Sequence, residues 1–359
     1  MLRSKKSRKS HYNMAFLPFL HRVAARGELT RESAREAMSL ILAGEATTAQ
    51  IAAFLVALKM KGEKPEEVVG FASAMRDVSA RVEVEADGEP LIDTCGTGGD
   101  AQGTFNISTA AALTAAGAGV RVAKHGNRSL SSKCGSADVL EALGVGITLT
   151  PEQTAGAIRE VGIGFLFAPA HHPAMKYAQP ARAELKMRTV FNLLGPLTNP
   201  AGARKQLIGA PSPEAAELMA HALAALGTEH SYIVHGFDGL DEVSTTEPTQ
   251  VYEVTGTEVG KQIWEPRDFG VSRARLAELA GGDPARNAEI VRRILHGERG
   301  PRRDVVLVNA AAALMASGKV TTPREAMAAA AESLDSGAAC SKLERLAEYT
   351  RGLGARAGH

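Results

Sequence analysis

Residues 91–129 read LIDTCGTGGDAQGTFNISTAAALTAAGAGVRVAKHGNRS, and the order of their parts decides the fold. An apolar run from Leu91 to Cys95 enters a loop with four glycines between Gly96 and Gly103, an alanine-rich helix starts near Ser108, and a second apolar run ends at Lys124. Strand, glycine loop, helix and strand in that order predict a parallel βαβ unit. The alternation continues through helices from Ser136 and Pro151, GFLFA at 164–168, QLIGA at 206–210, a helix from Pro213 and SYIVH at 231–235. Thr150-Pro151-Glu152-Gln153 is a helix start with a capping threonine, proline at the first helical position and glutamine three after the cap. VYEVTGTEVGKQIWEP, 251–266, alternates with a two-residue period around Gly256 and predicts an antiparallel hairpin extending the sheet.

Upstream the pattern is different. From Met14 to about Arg81 there are four helical segments and no strand; Ile51, Phe54, Leu55 and Leu58 recur at helical spacing, with Gly44 and Gly62 as stops. After about Arg275 the chain is helical again. The expected fold class is α/β: a small N-terminal helical domain plus a large α/β domain with a central, mostly parallel sheet flanked by helices. We expect residues 1–13 to be a disordered basic tail, 14–85 the helical domain joined by helices from about 173–200, and 86–359 the large domain.

Composition narrows the function. Forty-one basic and forty acidic residues leave a net charge of +1, so no global field draws nucleic acid or an anionic membrane, and an anion site must be local. Three cysteines without metal-ligand spacing suit a reducing cytoplasm. The basic stretch MLRSKKSRKSHYN is followed by no apolar run of signal or membrane length.

Four loops carry chemistry-bearing residues. The glycine loop after Cys95 leaves backbone N–H groups free to converge with the helix start near Ser108, a pattern for phosphate or pyrophosphate, although such loops also serve as tight turns. AKHGNRSLSSKCGSADV gathers Lys124, His125, Asn127, Arg128, Ser129, Ser131, Ser132, Lys133 and Ser136, cations and hydroxyls suited to polyphosphate; Ser136 could also cap the helix that follows. IVHGFDGLDEVS places Asp238, Asp241 and Glu242 in one loop, either a surface turn or an anchor for a hard cation such as Mg²⁺. APAHHPAMKYAQPARAELKMRTVFNLLGPLTNPA holds His171, His172 and Arg182, of which the arginine is the sharper candidate because it pairs bidentately with carboxylates.

These pieces in this order resemble the anthranilate phosphoribosyltransferase family. The similarity lies in GTGGD at 96–100, TFNIST at 104–109, KHGNRS at 124–129, FLFAP followed by HHPAMK, RTVFNLLGPLTNP and GLDEVS, and extends from about Met14 to the C-terminal helices. It implies a Mg²⁺-dependent, homodimeric, cytoplasmic enzyme of tryptophan biosynthesis that moves the phosphoribosyl group of phosphoribosyl pyrophosphate (PRPP) to anthranilate. By motif, Gly96, Gly99, Asp100, Thr104, Asn106, Ile107, Ser108, Thr109, Lys124, Asn127, Arg128, Ser129, Ser131, Ser132 and Ser136 would hold PRPP. Gly96, His125, Asn127, His172 and Arg182 would receive anthranilate, and Ser108, Asp241 and Glu242 would hold Mg²⁺. No nucleophile is implied; Lys124 and His125 are the candidates for a catalytic role. The competing readings are a nucleoside phosphorylase-like enzyme and a non-catalytic nucleic-acid-binding relative of the same fold.

Overall fold

The computed structural model describes residues 14–84, 89–98, 102–129 and 133–356, with side chains to 353. The expected tail and the candidates Gly99, Asp100, Ser131 and Ser132 lie outside the described residues.

The N-terminal unit consists of helices α1 (Leu17–Ala24), α2 (Arg31–Leu42), α3 (Thr48–Lys61) and α4 (Pro65–Asp77). Local signals set their starts: Thr30 caps α2 through Ser33 N, Thr47 and Gln50 form a reciprocal capping box on α3, and Pro65 opens α4. Ile51, Phe54, Leu55 and Leu58 face inward together, as their spacing predicts, and Phe54 contacts Phe16 and Phe71 edge-on at 5.2 and 6.1 Å between ring centres.

One ion pair is built into this unit. Lys61 Nζ lies 2.8 Å from Glu67 Oε2, both side chains are buried, and the same carboxylate accepts the backbone N–H of Leu29 and Lys64. Truncating the carboxylate leaves a buried ammonium and two donors unmatched. Glu67→Ala is therefore expected to destabilise the protein by about 3–5 kcal/mol, measured as a lower urea midpoint with unchanged slope.

The rest of the chain forms a seven-stranded sheet in the order β3-β2-β1-β4-β5-β6-β7. Strands β1 (Leu91–Gly96), β2 (Arg121–Gly126), β3 (Ile163–Phe167), β4 (Lys205–Gly209) and β5 (His230–Gly236) are parallel. Strands β6 (Thr249–Thr255) and β7 (Glu258–Trp264) add antiparallel to the β5 edge as the expected hairpin, turning at Gly256. The Thr150 capping box also forms as read, through Gln153.

Helix α5 (Ile107–Gly117) and the long helix Pro301–Ser317 cover one face of the sheet with an alanine-rich core. Helix Pro213–Leu226 covers the other face, where its core is continuous with that of the helical unit. The short helices Gln179–Leu185 and Phe191–Leu197 bury Ala181, Phe191, Leu194 and Leu197 in that shared core. The chain builds β1, β2 and β3 outward in one direction, then returns to place β4 on the other side of β1. That reversal opens a crevice at the carboxyl ends of β1 and β4, the usual ligand position in such sheets.

Candidate functional site at the β1–β4 switch point

The crevice is shaped by two glycines. Gly96 ends β1 and Gly209 ends β4 as register partners, and the loop after β5 lies directly across them. A Cβ at Gly209 would collide with the Asp241 carbonyl oxygen, and one at Gly96 would meet Asp241 Oδ2 at 2.8 Å. Absent side chains thus let the acidic loop reach the glycine loop. There Asp241 Oδ2 accepts Gly98 N–H at 3.0 Å, and Glu242 Oε1 accepts Ser108 N–H, in the first turn of α5, at 3.0 Å. A carboxylate at a helix N-terminus is electrostatically favoured.

Beneath this lies Lys124. It is buried on β2, and its Nζ donates to Thr94 O and lies 3.3 Å from Ser108 Oγ. Burial depresses its ammonium, while Asp93, Cys95, Glu242 and Asp241 favour the charged form. A buried cation ringed by acidic groups and backbone dipoles is a fixed source of positive potential.

The next residue faces the other way, since side chains alternate across a strand. His125 Nδ1 is 3.0 Å from Gly195 O on the opposite sheet face. A carbonyl can only accept, so the neutral ring carries its proton on Nδ1 and Nε2 is a bare acceptor. The His172 ring is 5.2 Å away, and Nε2 of both histidines is buried without a partner among the described residues. Burial lowers their pKa values to about 3 for His125 and about 4 for His172, with the neighbouring histidines adding to the shift. Both rings are therefore neutral near pH 7.

The unfolded chain, with histidine near 6.5, binds protons that the native rings refuse, so their contribution to stability is complete above 6.5. It is lost as the pH falls from 6.5 toward 4 and 3. His172→Asn is expected to flatten the decline in urea midpoint across this acid window compared with the unmodified chain.

Arg182 sits half-buried with its guanidinium 5.3 Å over the Phe191 ring, and it forms no ion pair among the described residues. Burial lowers its pKa, as expected for a cation set apart from water without a counter-charge.

Other candidates are occupied within the fold. Arg128 pairs with Asp138 and Glu141, which hold its guanidinium above the usual range, so its charge is already matched. Asn106 bonds Cys134 O and accepts from Asn287, fixing the start of α5. The Ile107 side chain is buried, and its N–H donates to Phe105 O. Thr104 pairs with Ala280, and the buried Thr109 hydroxyl is without a partner among the described residues. Asn127 is exposed; its side chain accepts Arg128 N–H, and its carbonyl accepts Ser136 Oγ–H and Ala137 N–H. Ser129 N–H donates to Asp138.

Two expectations change. Ser136 is not a cap: the helix Ser136–Ala142 is capped at Gly135, whose N–H donates to Asp138 Oδ2 at 2.8 Å. Asp238 does not point toward a cation, because its carboxylate accepts the hydroxyls of Ser244 and Thr246 and the N–H of Leu240, tying its own loop together.

Three further residues contribute to the site without having been singled out as ligands. Arg188 Nη2 donates to Gly98 O, linking the segment after Leu185 to the glycine loop. Asp93, fully buried, accepts His125 N–H at 3.0 Å and Asn199 Nδ2–H at 2.7 Å, and burial raises its pKa. Asn199 also donates to Ala123 O at 2.8 Å. Asp93 and Asn199 thus clamp the strand carrying His125. The available signal was a carboxylate in the middle of the apolar run LIDTC.

Comparison with known proteins agrees with this architecture. Residues 88–340 match the family model described as glycosyl transferase family, a/b domain, and residues 17–79 match glycosyl transferase family, helical bundle domain. The chain is 60% identical over 336 residues to an anthranilate phosphoribosyltransferase of Solibacter usitatus, covering 94% of this chain and 99% of that protein. It is 52% identical over 330 residues to that of Moorella thermoacetica, covering 92% and 97%. Among solved structures, anthranilate phosphoribosyltransferase from Thermus thermophilus superposes with a TM-score of 0.88 at 46% identity, covering 93% of this chain and 99% of that one. The Saccharomyces cerevisiae protein in complex with PRPP and Mg gives 0.86 at 29% identity, covering 94% and 98%. Fold, motif order and near full-length identity agree: the chain belongs to the anthranilate phosphoribosyltransferase family.

Proposed function

We propose that this protein transfers the phosphoribosyl group of PRPP to the amine of anthranilate, giving N-(5-phosphoribosyl)anthranilate and pyrophosphate, in tryptophan biosynthesis. The observation that carries this reading is the division of β2: Lys124 turns to the phosphate loop and Asp241–Glu242 side, while His125 turns to His172 and the face of the short helices. Two substrates are thus received from opposite faces of one strand end.

In this reading the Gly96–Gly98 backbone, the first turn of α5 and Lys124 hold the pyrophosphate, together with Gly99, Asp100, Ser131 and Ser132 by motif. By motif, Asn127, Arg128, Ser129 and Ser136 would hold the same substrate. Asp241, Glu242 and Ser108 fit Mg²⁺, because all three offer hard oxygen donors beside the phosphate loop. Among the described residues no cluster of three or more His, Cys, Asp or Glu forms a complete cage, which suits an ion that also uses substrate phosphates and water. When bound, Mg²⁺ neutralises charge on the leaving pyrophosphate. Lys124 and the loop N–H groups stabilise the same charge as the ribose C1–O bond breaks.

Arg182 takes the anthranilate carboxylate, and Gly96, Asn127, His125 and His172 surround the ring and amine. The attacking amine is neutral at pH 7 and needs no prior deprotonation. In this reading His125 Nε2, a bare acceptor, takes the proton released from the amine, and a weak base suffices because the conjugate acid of an aromatic amine is itself strongly acidic. Positioning and electrostatics carry the rest.

The division into residues 14–85 and 86–359, with 173–200 completing the helical unit, belongs to this reading and is supported by the shared core of those helices. We also assign a cytoplasmic homodimer. No helix among the described residues is long and apolar enough to cross a membrane, and the cysteines are free. An apolar groove of about 510 Å³ between α1, α3 and Gln179–Leu185, lined by Val23, Ala52, Val56, Met60 and Leu185, supports pairing through the helical unit. Val56→Glu is expected to yield monomers in light scattering.

The reaction is tested by following anthranilate fluorescence on mixing the purified protein with PRPP, with Mg²⁺ present or chelated. A Mg²⁺-dependent decay with equal pyrophosphate release is expected. No decay in a folded protein that still binds PRPP would reassign the acceptor.

A further inference from the structure

Arg76 repeats the environment of Arg182 in a different place. Its side chain is half-buried, burial lowers its pKa, and it has no carboxylate partner among the described residues. Buried cations in proteins are ordinarily matched by an anion. At Arg182 the acceptor substrate supplies one; at Arg76 nothing in the reaction does.

Arg76 lies near the end of α4, donates Nε–H to Leu197 O at 2.8 Å, and lines a cavity of about 370 Å³ at the amino ends of β4 and β5, opposite the catalytic crevice. Arg81 lines the same cavity, is exposed, and has no hydrogen bond or ion pair among the described residues. A third arginine on the wall, Arg204, is already engaged with Gly227 O and Glu229. Glu83 is also on the wall but pairs with neither Arg76 nor Arg81. Leu223 and Leu226, at the end of helix Pro213–Leu226, contribute to the apolar part of the wall, with Val82, Pro200, Ala201 and Ala203.

We propose that this cavity is a second ligand site for a small organic carboxylate, its charge held by Arg76 and Arg81 and its apolar body laid on Leu223 and Leu226. Two guanidinium groups beside an aliphatic surface match an acid with a hydrocarbon body better than a bare inorganic anion, which gains nothing from leucine. The volume accommodates an aromatic or branched aliphatic acid.

The location gives an occupant leverage. The cavity lies where the chain passes between the helical unit and the sheet, and these two crossings are joined by Val82 N–H to Pro200 O at 3.0 Å. Asn199 is on its wall and on the clamp that holds Asp93 and, through it, His125. Binding is therefore coupled to the junction and to the acceptor face of β2.

The test uses benzoate as the probe and the full chain carrying Arg182→Ala, so that the acceptor face is disabled; calorimetry without PRPP makes it independent of the reaction. One saturable benzoate site is expected to remain. Adding Arg81→Ala should weaken it by about tenfold or more, and adding Leu226→Trp, which fills the cavity, should abolish it. Absence of a saturable site in Arg182→Ala, or binding indifferent to both cavity substitutions, would overturn the proposal. Competition by inorganic phosphate with affinity equal to benzoate would overturn the assignment to an acid with an apolar body.

Discussion

Lys124→Met is expected to lower kcat by about 10²–10³ with a much smaller change in the anthranilate KM. The substitution keeps the length and apolar stem of the side chain and removes the ammonium that donates to Thr94 O and faces Ser108, Asp241 and Glu242. In the proposed reaction that charge, held in place by the fold before any substrate arrives, stabilises the leaving pyrophosphate without reorganisation. Methionine leaves the Asp93 carboxylate without its nearby cation, but it still accepts His125 N–H and Asn199 Nδ2–H. The folded fraction is checked by circular dichroism. A variant with normal kcat and only a raised PRPP KM would mean that Lys124 binds the ground state and the transition state equally.

Arg182→Ala tests the other face. The anthranilate KM should rise about 10–100-fold while the PRPP KM stays within about twofold, corresponding to loss of one charged, partly desolvated carboxylate contact. Arg182 has no counter-ion among the described residues and packs over Phe191 on the face to which His125 turns. Arg182→Lys should recover only part of the loss, because an ammonium cannot reproduce the planar two-point pairing. Equal effects on both KM values would place Arg182 in the support of the junction rather than against the acceptor.

Much of this site was legible from sequence because its parts are local. Glycines at 96 and 98 follow a strand, Ser108 opens a helix, Asp241 and Glu242 follow another strand, and each unit is recognisable within ten or so residues. The roles of Arg128 and Asp238 were not legible in that way. Both have charges that suit a substrate or cation, yet Arg128 meets Glu141 thirteen residues away and Asp238 meets Thr246 eight residues away. A composition of charged and hydroxyl groups does not say which of them satisfy one another. Asp93 was passed over for the opposite reason: its partner Asn199 is 106 residues distant, and neither residue alone carries a recognisable pattern.

By itself the sequence determined where the main strands and helices form and caps such as that at Thr150, since those depend on periodicity, glycine and proline placement, and side chains within a turn of one another. It also supplied the candidate groups for a phosphate and for a carboxylate, because motif order survives without coordinates. Only the tertiary structure decided which of those groups remain available. Asp241 reaches Gly98 across 143 residues, and Glu242 reaches Ser108 across 134, only because β4 returns to lie beside β1. Packing also leaves Arg182 and Arg76 half-buried without counter-charges among the described residues, and burial is a property of packing between distant segments that no local window contains.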